Sequence, residues 1–434
     1  MTKCTAALVS IATLILAPAH AWSQANPFAG DVPRKPKPAF PGQTGAPAPS
    51  KPSPPVTVET ITTRLTSPWS MAFLPDGNFL VTESIGNMRI VRPDGSVSAP
   101  IAGVPGVKVV AAQGLHDVVL DPGFAQNRLL YFCYFAPPKG EVPAQWPNEF
   151  FYQNVWTKSL PERRLMQIGT ERMARARLSK DNTRLEDVDI LVEGAERRIV
   201  LAPDGTILVT GADRFRFYDS KYDGVEHDFT DNPDIGRNFS GRVLRINRDG
   251  SIPKDNPWLS RATVPAETFA HGLRDPEGAA INPATGELWV TDHGPQGGDE
   301  INIIKPGRNY GWPDVSYGVQ YDFQRTDGRK NVPVGNGKTS MPGVEEPAYF
   351  WVPDIAPSGM LFYTGDKFPQ WKGNLFVGAL EGQALVRLVL NGDRIVAEER
   401  LLTERKIRVR DIRQGADGSI YILAGTGLLR LTPK

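Results

Sequence analysis

A short apolar run, a turn built on Asp, Pro and Gly, and a second apolar run recur six times along the chain. Residues 71–82 (MAFLPDGNFLVT) carry the first copy, with Pro75-Asp76-Gly77 as the turn. The unit returns at 118–135 around Asp121-Pro122-Gly123 and at 199–210 around Pro203-Asp204-Gly205. Residues 279–291 turn on Pro-Ala-Thr-Gly, 360–380 on Trp371-Lys372-Gly373, and 412–423 on Ala416-Asp417-Gly418. The apolar runs are too short for helices and are flanked by turn-forming residues, so each copy predicts a β-hairpin. Six copies between residues 56 and 434 leave about 60 residues each, room for a four-stranded sheet and its loops. The pattern predicts an all-β chain folded as a six-bladed β-propeller. A pair of β-sandwiches is the competing architecture, but it leaves the sixfold hairpin unexplained. Residues 56–62 are expected to supply the last strand of the C-terminal blade and close the ring.

Composition changes this picture only at the N-terminus. Residues 1–21 have a lysine at position 3, an apolar run over 6–17 and a small-x-small Ala19-His20-Ala21 step. That is the layout of a secretory signal, too short to span a bilayer comfortably. It predicts a periplasmic or secreted protein without an integral membrane anchor after cleavage. Residues 22–55 are proline-rich and are expected to form a disordered linker ahead of a propeller domain over 56–434. A formal charge of +1 gives no electrostatic basis for binding nucleic acid. Loss of the signal removes Cys4 and leaves Cys133, in an apolar strand, as a buried small hydrophobe with no disulfide partner. The long gaps at 136–163 and 212–238 are expected to be loops. The second is acidic, but its spacing fits no EF-hand, which favours a solvated loop.

Candidate chemistry concentrates in residues 271–313. An arginine-bearing loop, Gly272-Leu273-Arg274-Asp275-Pro276, precedes the fourth hairpin. The glycine-rich loop His293-Gly294-Pro295-Gln296-Gly297-Gly298-Asp299-Glu300 follows it. A hairpin brings its two outer ends to one edge of the sheet, so Arg274 and this loop should lie side by side. A cation beside carbonyls and carboxylates suits an anionic ligand together with a hard metal ion.

These stretches, with 67–77 (SPWSMAFLPDG), 241–257 (GRVLRINRDGSIPKDNP), Ala356-Pro357-Ser358-Gly359 and Arg408-Val409-Arg410-Asp411, resemble the soluble quinoprotein sugar dehydrogenases. The likeness is to the glucose/sorbosone type, and among them to the bacterial aldose sugar dehydrogenases, across 57–434. It implies pyrroloquinoline quinone (PQQ) held on Ca²⁺ at the axial mouth. A sugar C1 would be oxidised by hydride transfer to the quinone, and an external electron acceptor would reoxidise it. PQQ carries three carboxylates, and Arg274, Arg408 and Arg410 fall on the family's arginine positions. The resemblance gives the metal the main-chain oxygens of Gly294 and Pro295. It places Asp275, His293 and Asp299 among the cofactor contacts, and Asn309-Tyr310-Gly311-Trp312-Pro313 as packing beneath the site.

The same comparison exposes departures. Gly194, in Gly194-Ala195-Glu196-Arg197-Arg198, stands where the family has its histidine base. Ala112 stands at a family glutamine, with Gln113 adjacent; Glu381 replaces a lysine and Asp275 an asparagine. Glycine cannot accept a proton, so Glu196, then His116, are the expected replacement bases; His271 and His293 also lie in the segment nearest the mouth, and His227 in the acidic gap. The expected activity is therefore oxidation of a sugar or related alcohol with an altered base. Two alternatives compete: a non-catalytic binding propeller that keeps part of the pocket, and a calcium-dependent propeller hydrolase.

Overall fold

The computed structural model describes residues 35–109, 113–138, 169–213, 241–262, 264–321 and 331–434. The signal stretch, Ala112, His227 and most of the two long gaps lie outside these residues. The described strands form six antiparallel sheets, five of four strands and one of three. Each predicted hairpin supplies the first two strands of one sheet. The first strands are Pro68–Phe73, Leu115–Leu120, Ile199–Leu201, Gly278–Ile281, Pro357–Phe362 and Val409–Gln414, for blades one to six. Neighbouring first strands touch in cyclic order, and the sixth touches the first, so these strands surround a common axis.

The apolar runs are continuous because both faces of each sheet are covered. Six buried clusters fill the six gaps between blades. Met71, Phe79 and Val81 of blade one meet Leu423 and Leu428 of blade six, for example. Trp289 and Tyr349 of blade four meet Met360 and Val377 of blade five. Cys133 lies in the gap between blades two and three, fully buried, and burial pushes its thiol well up. It is a packing residue, as its strand suggested.

Val56–Thr62 pairs antiparallel with the C-terminal strand Gly427–Pro433, from Val56 opposite Pro433 to Thr62 opposite Leu428. Both chain ends thus build the sixth blade, as expected.

The proline-rich stretch is different from its prediction over its described part. Gln43 is completely buried; its Nε2 donates to the Pro347 carbonyl at 2.9 Å, and Phe350 N donates to its carbonyl at 2.9 Å. Glu398 N donates to Pro47 O at 2.9 Å, and Ser53 Oγ to Glu399 Oε2 at 2.6 Å. Residues 39–53 therefore run as a strap along the outer strands of blades four and five, Tyr349–Trp351 and Arg394–Leu401. Composition was misleading because such a strap needs no core of its own. It fills hydrogen bonds that an exposed sheet edge leaves open.

No helix among the described residues is long and apolar enough to cross a membrane.

Candidate active site at the propeller axis

The starts of the first strands converge at one end of the axis and bring their side chains together. Arg198, just before blade three, is the hub. Its Nε donates to Glu277 O at 2.7 Å, Nη1 to Asp411 Oδ1 at 2.9 Å, and Nη2 to Arg410 O at 3.1 Å. The guanidinium lies 4.2 Å over the Trp69 ring. Asp117 joins from blade two, accepting from Ser70 Oγ at 2.5 Å and Arg413 Nη2 at 2.9 Å. Five blades are tied by this buried network, and the charges are matched with several hydrogen bonds each, the condition for burying them without large cost.

Next to the hub stand the two expected bases. His116 is fully buried, its ring stacked on Trp69 at 4.8 Å between centroids. Its Nδ1 lies 2.7 Å from Glu196 O and 3.5 Å from Arg197 Nη1. The shorter contact is to a carbonyl oxygen, which only accepts, so the proton sits on Nδ1 and Nε2 is the basic nitrogen. The Glu196 carboxylate is also fully buried, and neither oxygen accepts a hydrogen bond; Arg197 Nη1 is 3.5 Å away. Both residues adjoin the Gly194 segment, where the chain carries no side chain and runs at φ 99°.

The fourth blade supplies the acidic side. Asp275 Oδ1 accepts from Arg197 Nε at 2.9 Å. Glu277 is buried and ion-paired with Arg410. Burial works against its ionisation, yet Arg410, then His293 and Arg197, hold its carboxyl below the usual range. His293 Nε2 is 2.7 Å from Pro357 O. One ligand atom from each of Asp275, Glu277 and His293 lies within 4.8 Å of the others.

Arg274 and the glycine-rich loop do lie side by side. Arg274 Nη1 donates to His293 O at 2.8 Å and Gly294 O at 2.9 Å, and the guanidinium lies 5.5 Å from the Trp312 ring. Trp312 Nε1 donates to Asp213 Oδ2 at 2.6 Å, which fixes the indole against the Arg274 guanidinium. Asp292 fixes the approach, accepting from the amides of Arg274 at 2.8 Å and Asp275 at 2.6 Å.

Several expected roles change. Asp299, expected to touch a cofactor, has both oxygens occupied. Oδ1 accepts from Gly294 N at 2.9 Å, and Oδ2 from Ile355 N and Ala356 N at 2.7 Å each. It shapes the Gly294–Pro295 turn instead. Arg408 sits half-exposed on the rim and donates to Leu380 O at 3.1 Å. Glu381, expected to repel an anionic cofactor, lies 3.5 Å from the Arg408 guanidinium, so the reversed charge is paired locally. His271 belongs to the outermost strand of blade three, Thr268–His271, where its ring packs edge-on to Trp258; the three inner strands of the blade separate such a position from the axis. Gln113 is buried with its Oε1 unpartnered. Sequence reasoning missed Trp69, Arg197, Arg198 and Glu277. All four stand at or just before the start of a first strand, so the phase of the repeat was the signal that would have found them.

The sequence profile of glucose/sorbosone dehydrogenases matches residues 65–430. The aldose sugar dehydrogenase YliI of Escherichia coli is 34% identical over 383 residues, 87% of this chain and 93% of that protein. Quinoprotein glucose dehydrogenase B of Acinetobacter calcoaceticus is 26% identical, covering 84% of each chain. A crystal structure of a glucose dehydrogenase superposes with a TM-score of 0.72 at 33% identity, over 86% of this chain and 99% of that one. With the axial convergence of Arg274, Arg410 and the Gly294 loop, these matches place the chain in the glucose/sorbosone dehydrogenase family, whose relatives include aldose sugar dehydrogenases.

Proposed function

We propose that the axial pocket binds PQQ with Ca²⁺ and that the protein oxidises aldose sugars, or related alcohols, at the C1 hydroxyl. One observation carries the reading: the Arg274 guanidinium rests on the carbonyl oxygens of His293 and Gly294, and Arg410 reaches the same cluster through Glu277, which lies beside His293. The donor set fits the group. The main-chain oxygens of His293 and Gly294 converge on the Arg274 cation, and oxygens of this kind are ligands that a hard metal ion accepts. Fixed guanidiniums suit a cofactor with three carboxylates. Gly294 and Pro295 would hold the ion; Arg274, Arg408, Arg410, Asp275 and His293 would contact the quinone. When bound, the quinone supplies the two-electron acceptor that an external acceptor then reoxidises. Glu277, Glu381 and Asp275 each answer one guanidinium, those of Arg410, Arg408 and Arg197.

The remaining chemistry belongs to the chain's own side chains. Gly194 offers no base, and His116 takes its place: the Glu196 carbonyl fixes the Nδ1–H tautomer, and Nε2 receives the C1 hydroxyl proton. The Glu196 carboxylate is the second choice for that role. The binding-propeller alternative draws on the same Gly194. The 1–21 signal assigns the protein to the periplasm or the secreted fraction, which N-terminal sequencing of the mature protein tests.

The functional test is reconstitution. Chelator-treated protein is supplied with PQQ and Ca²⁺, and quinone absorbance and dye reduction are followed with a panel of aldoses. Uptake with turnover supports the enzyme; uptake without turnover selects the binding propeller; no uptake removes the quinone assignment. H116Q and E196Q assign the base: the variant that loses turnover but keeps PQQ affinity identifies it.

A further inference from the structure

We propose that Asp275, Glu277 and His293 form a second cation site, made of side chains, that takes a divalent transition-metal ion of the zinc or manganese type. The site is distinct in chemistry from the main-chain oxygens of Gly294 and Pro295; Asp275 and His293 also lie among the quinone contacts proposed above, so the ion belongs to the quinone-free protein.

The three side chains come from the two ends of one hairpin. Asp275 and Glu277 precede the strand Gly278–Ile281, and His293 follows Leu288–Asp292. One ligand atom of each lies within 4.8 Å of the other two. Bonds of about 2.1 Å in a tetrahedral site put ligand atoms about 3.4 Å apart, so closure needs a contraction within reach of side-chain rotation.

Every ligand is held from behind by a partner that leaves an atom over. His293 Nε2 faces the Pro357 carbonyl at 2.7 Å, which puts the proton on Nε2 and the lone pair on Nδ1. Arg197 Nε takes Asp275 Oδ1 at 2.9 Å, leaving Oδ2. Arg410 takes Glu277 Oε2, leaving Oε1, on a side chain only 4% exposed. An ordinary buried salt-bridge cluster uses up its oxygens; here each guanidinium engages one oxygen of a carboxylate that has two. Arg197 is moreover shared between Asp275 and Glu196.

The donor set selects the ion. One imidazole nitrogen and two carboxylate oxygens suit zinc, manganese or cobalt, whereas calcium seeks six to eight oxygens. Three protein ligands leave open positions on the ion, facing the axial pocket, for water or a hydroxyl-bearing ligand.

The test uses the full chain, stripped with chelator and free of quinone. Zn²⁺ is titrated by calorimetry, and Co²⁺ by its visible absorption. The expected result is one equivalent bound at micromolar or tighter affinity, with Co²⁺ bands of a low-coordinate nitrogen/oxygen site. E277Q should weaken this by about 100-fold and D275N by at least about tenfold. Absence of Co²⁺ and Zn²⁺ binding in the wild type overturns the proposal, as does unchanged affinity in E277Q or loss of the Co²⁺ bands on adding an equal concentration of Ca²⁺. Should circular dichroism show E277Q misfolded, H293N, on a half-exposed side chain, decides the matter by the same criteria. Failure of quinone reconstitution leaves this test standing, and the reverse also holds.

Discussion

Replacing Asp299 by asparagine is the sharpest probe of how the Gly294–Pro295 turn is built. The carboxyl serves three amides: half-buried Gly294 at one oxygen, buried Ile355 and half-buried Ala356 at the other. An asparagine offers one acceptor oxygen and one NH₂. In its better orientation the oxygen keeps Ile355 and Ala356, and the NH₂ confronts the Gly294 N–H. One half-buried donor is then orphaned, which costs about 1 kcal/mol, the low end for a lost partner. Burial, and next the nearby Asp354 carboxyl, push the Asp299 carboxyl up to about 8, so at neutral pH it carries little charge to remove and the change acts mainly through the hydrogen bonds. D299A orphans all three amides and should destabilise more than D299N. Urea denaturation gives the stabilities, and Ca²⁺ titration gives the effect on the turn. D299N should lower Ca²⁺ affinity while the fold is retained, because the Gly294 amide is the one released. A D299N protein with wild-type stability and Ca²⁺ affinity, or one less stable than D299A, would refute the reasoning.

Other expectations follow from the same geometry. R274A should weaken PQQ binding by about 1.5–3 kcal/mol, the worth of a charge-assisted contact, against little change for R172A, paired with Glu193 on the third strand of blade two; fluorescence titration with PQQ compares them. Q43A deletes the bonds to Pro347 O and Ala39 N at the root of the strap and should cost about 1–3 kcal/mol in urea denaturation. Burial pushes Asp292 up to about 7 and Glu300 up to about 8. The folded chain therefore holds protons there that the unfolded chain releases above its ordinary carboxylate pKa, about 4. Their stabilising contribution is complete below about pH 4 and declines as pH rises towards 7–8. The urea midpoint should be higher at pH 5 than at pH 8, and E300Q should flatten the difference.

The ring was legible because its signal is local: a hairpin turn and two apolar runs are written in a dozen residues and repeated. Closure by residues 56–62 was legible too, since a β-strand pattern ahead of the first hairpin has no other partner. Polar geometry at the axis is not local, and there the reading was partial. Arg274 beside Gly294 followed from hairpin geometry. That Glu381 answers Arg408, or that Arg197 reaches Asp275 across a blade boundary, depends on side chains 27 and 78 residues apart. Asp299 was misassigned because a carboxylate that organises backbone amides and one that faces a ligand look the same in a sequence. The strap was misread because proline-rich composition reports the lack of a core, and docking against an existing edge requires none.

The sixth blade has a consequence for synthesis. Its outermost strand, Val56–Thr62, leaves the ribosome before the first hairpin, and its partner Gly427–Pro433 emerges only after the other five blades. A nascent chain can assemble the middle blades, yet the earliest strand has nowhere to pair until residues 427–433 have been made. Products broken off before residue 427 would carry an open seam between blades six and one, exposing Met71 and Val81, and quality-control proteases would have a simple mark by which to recognise them.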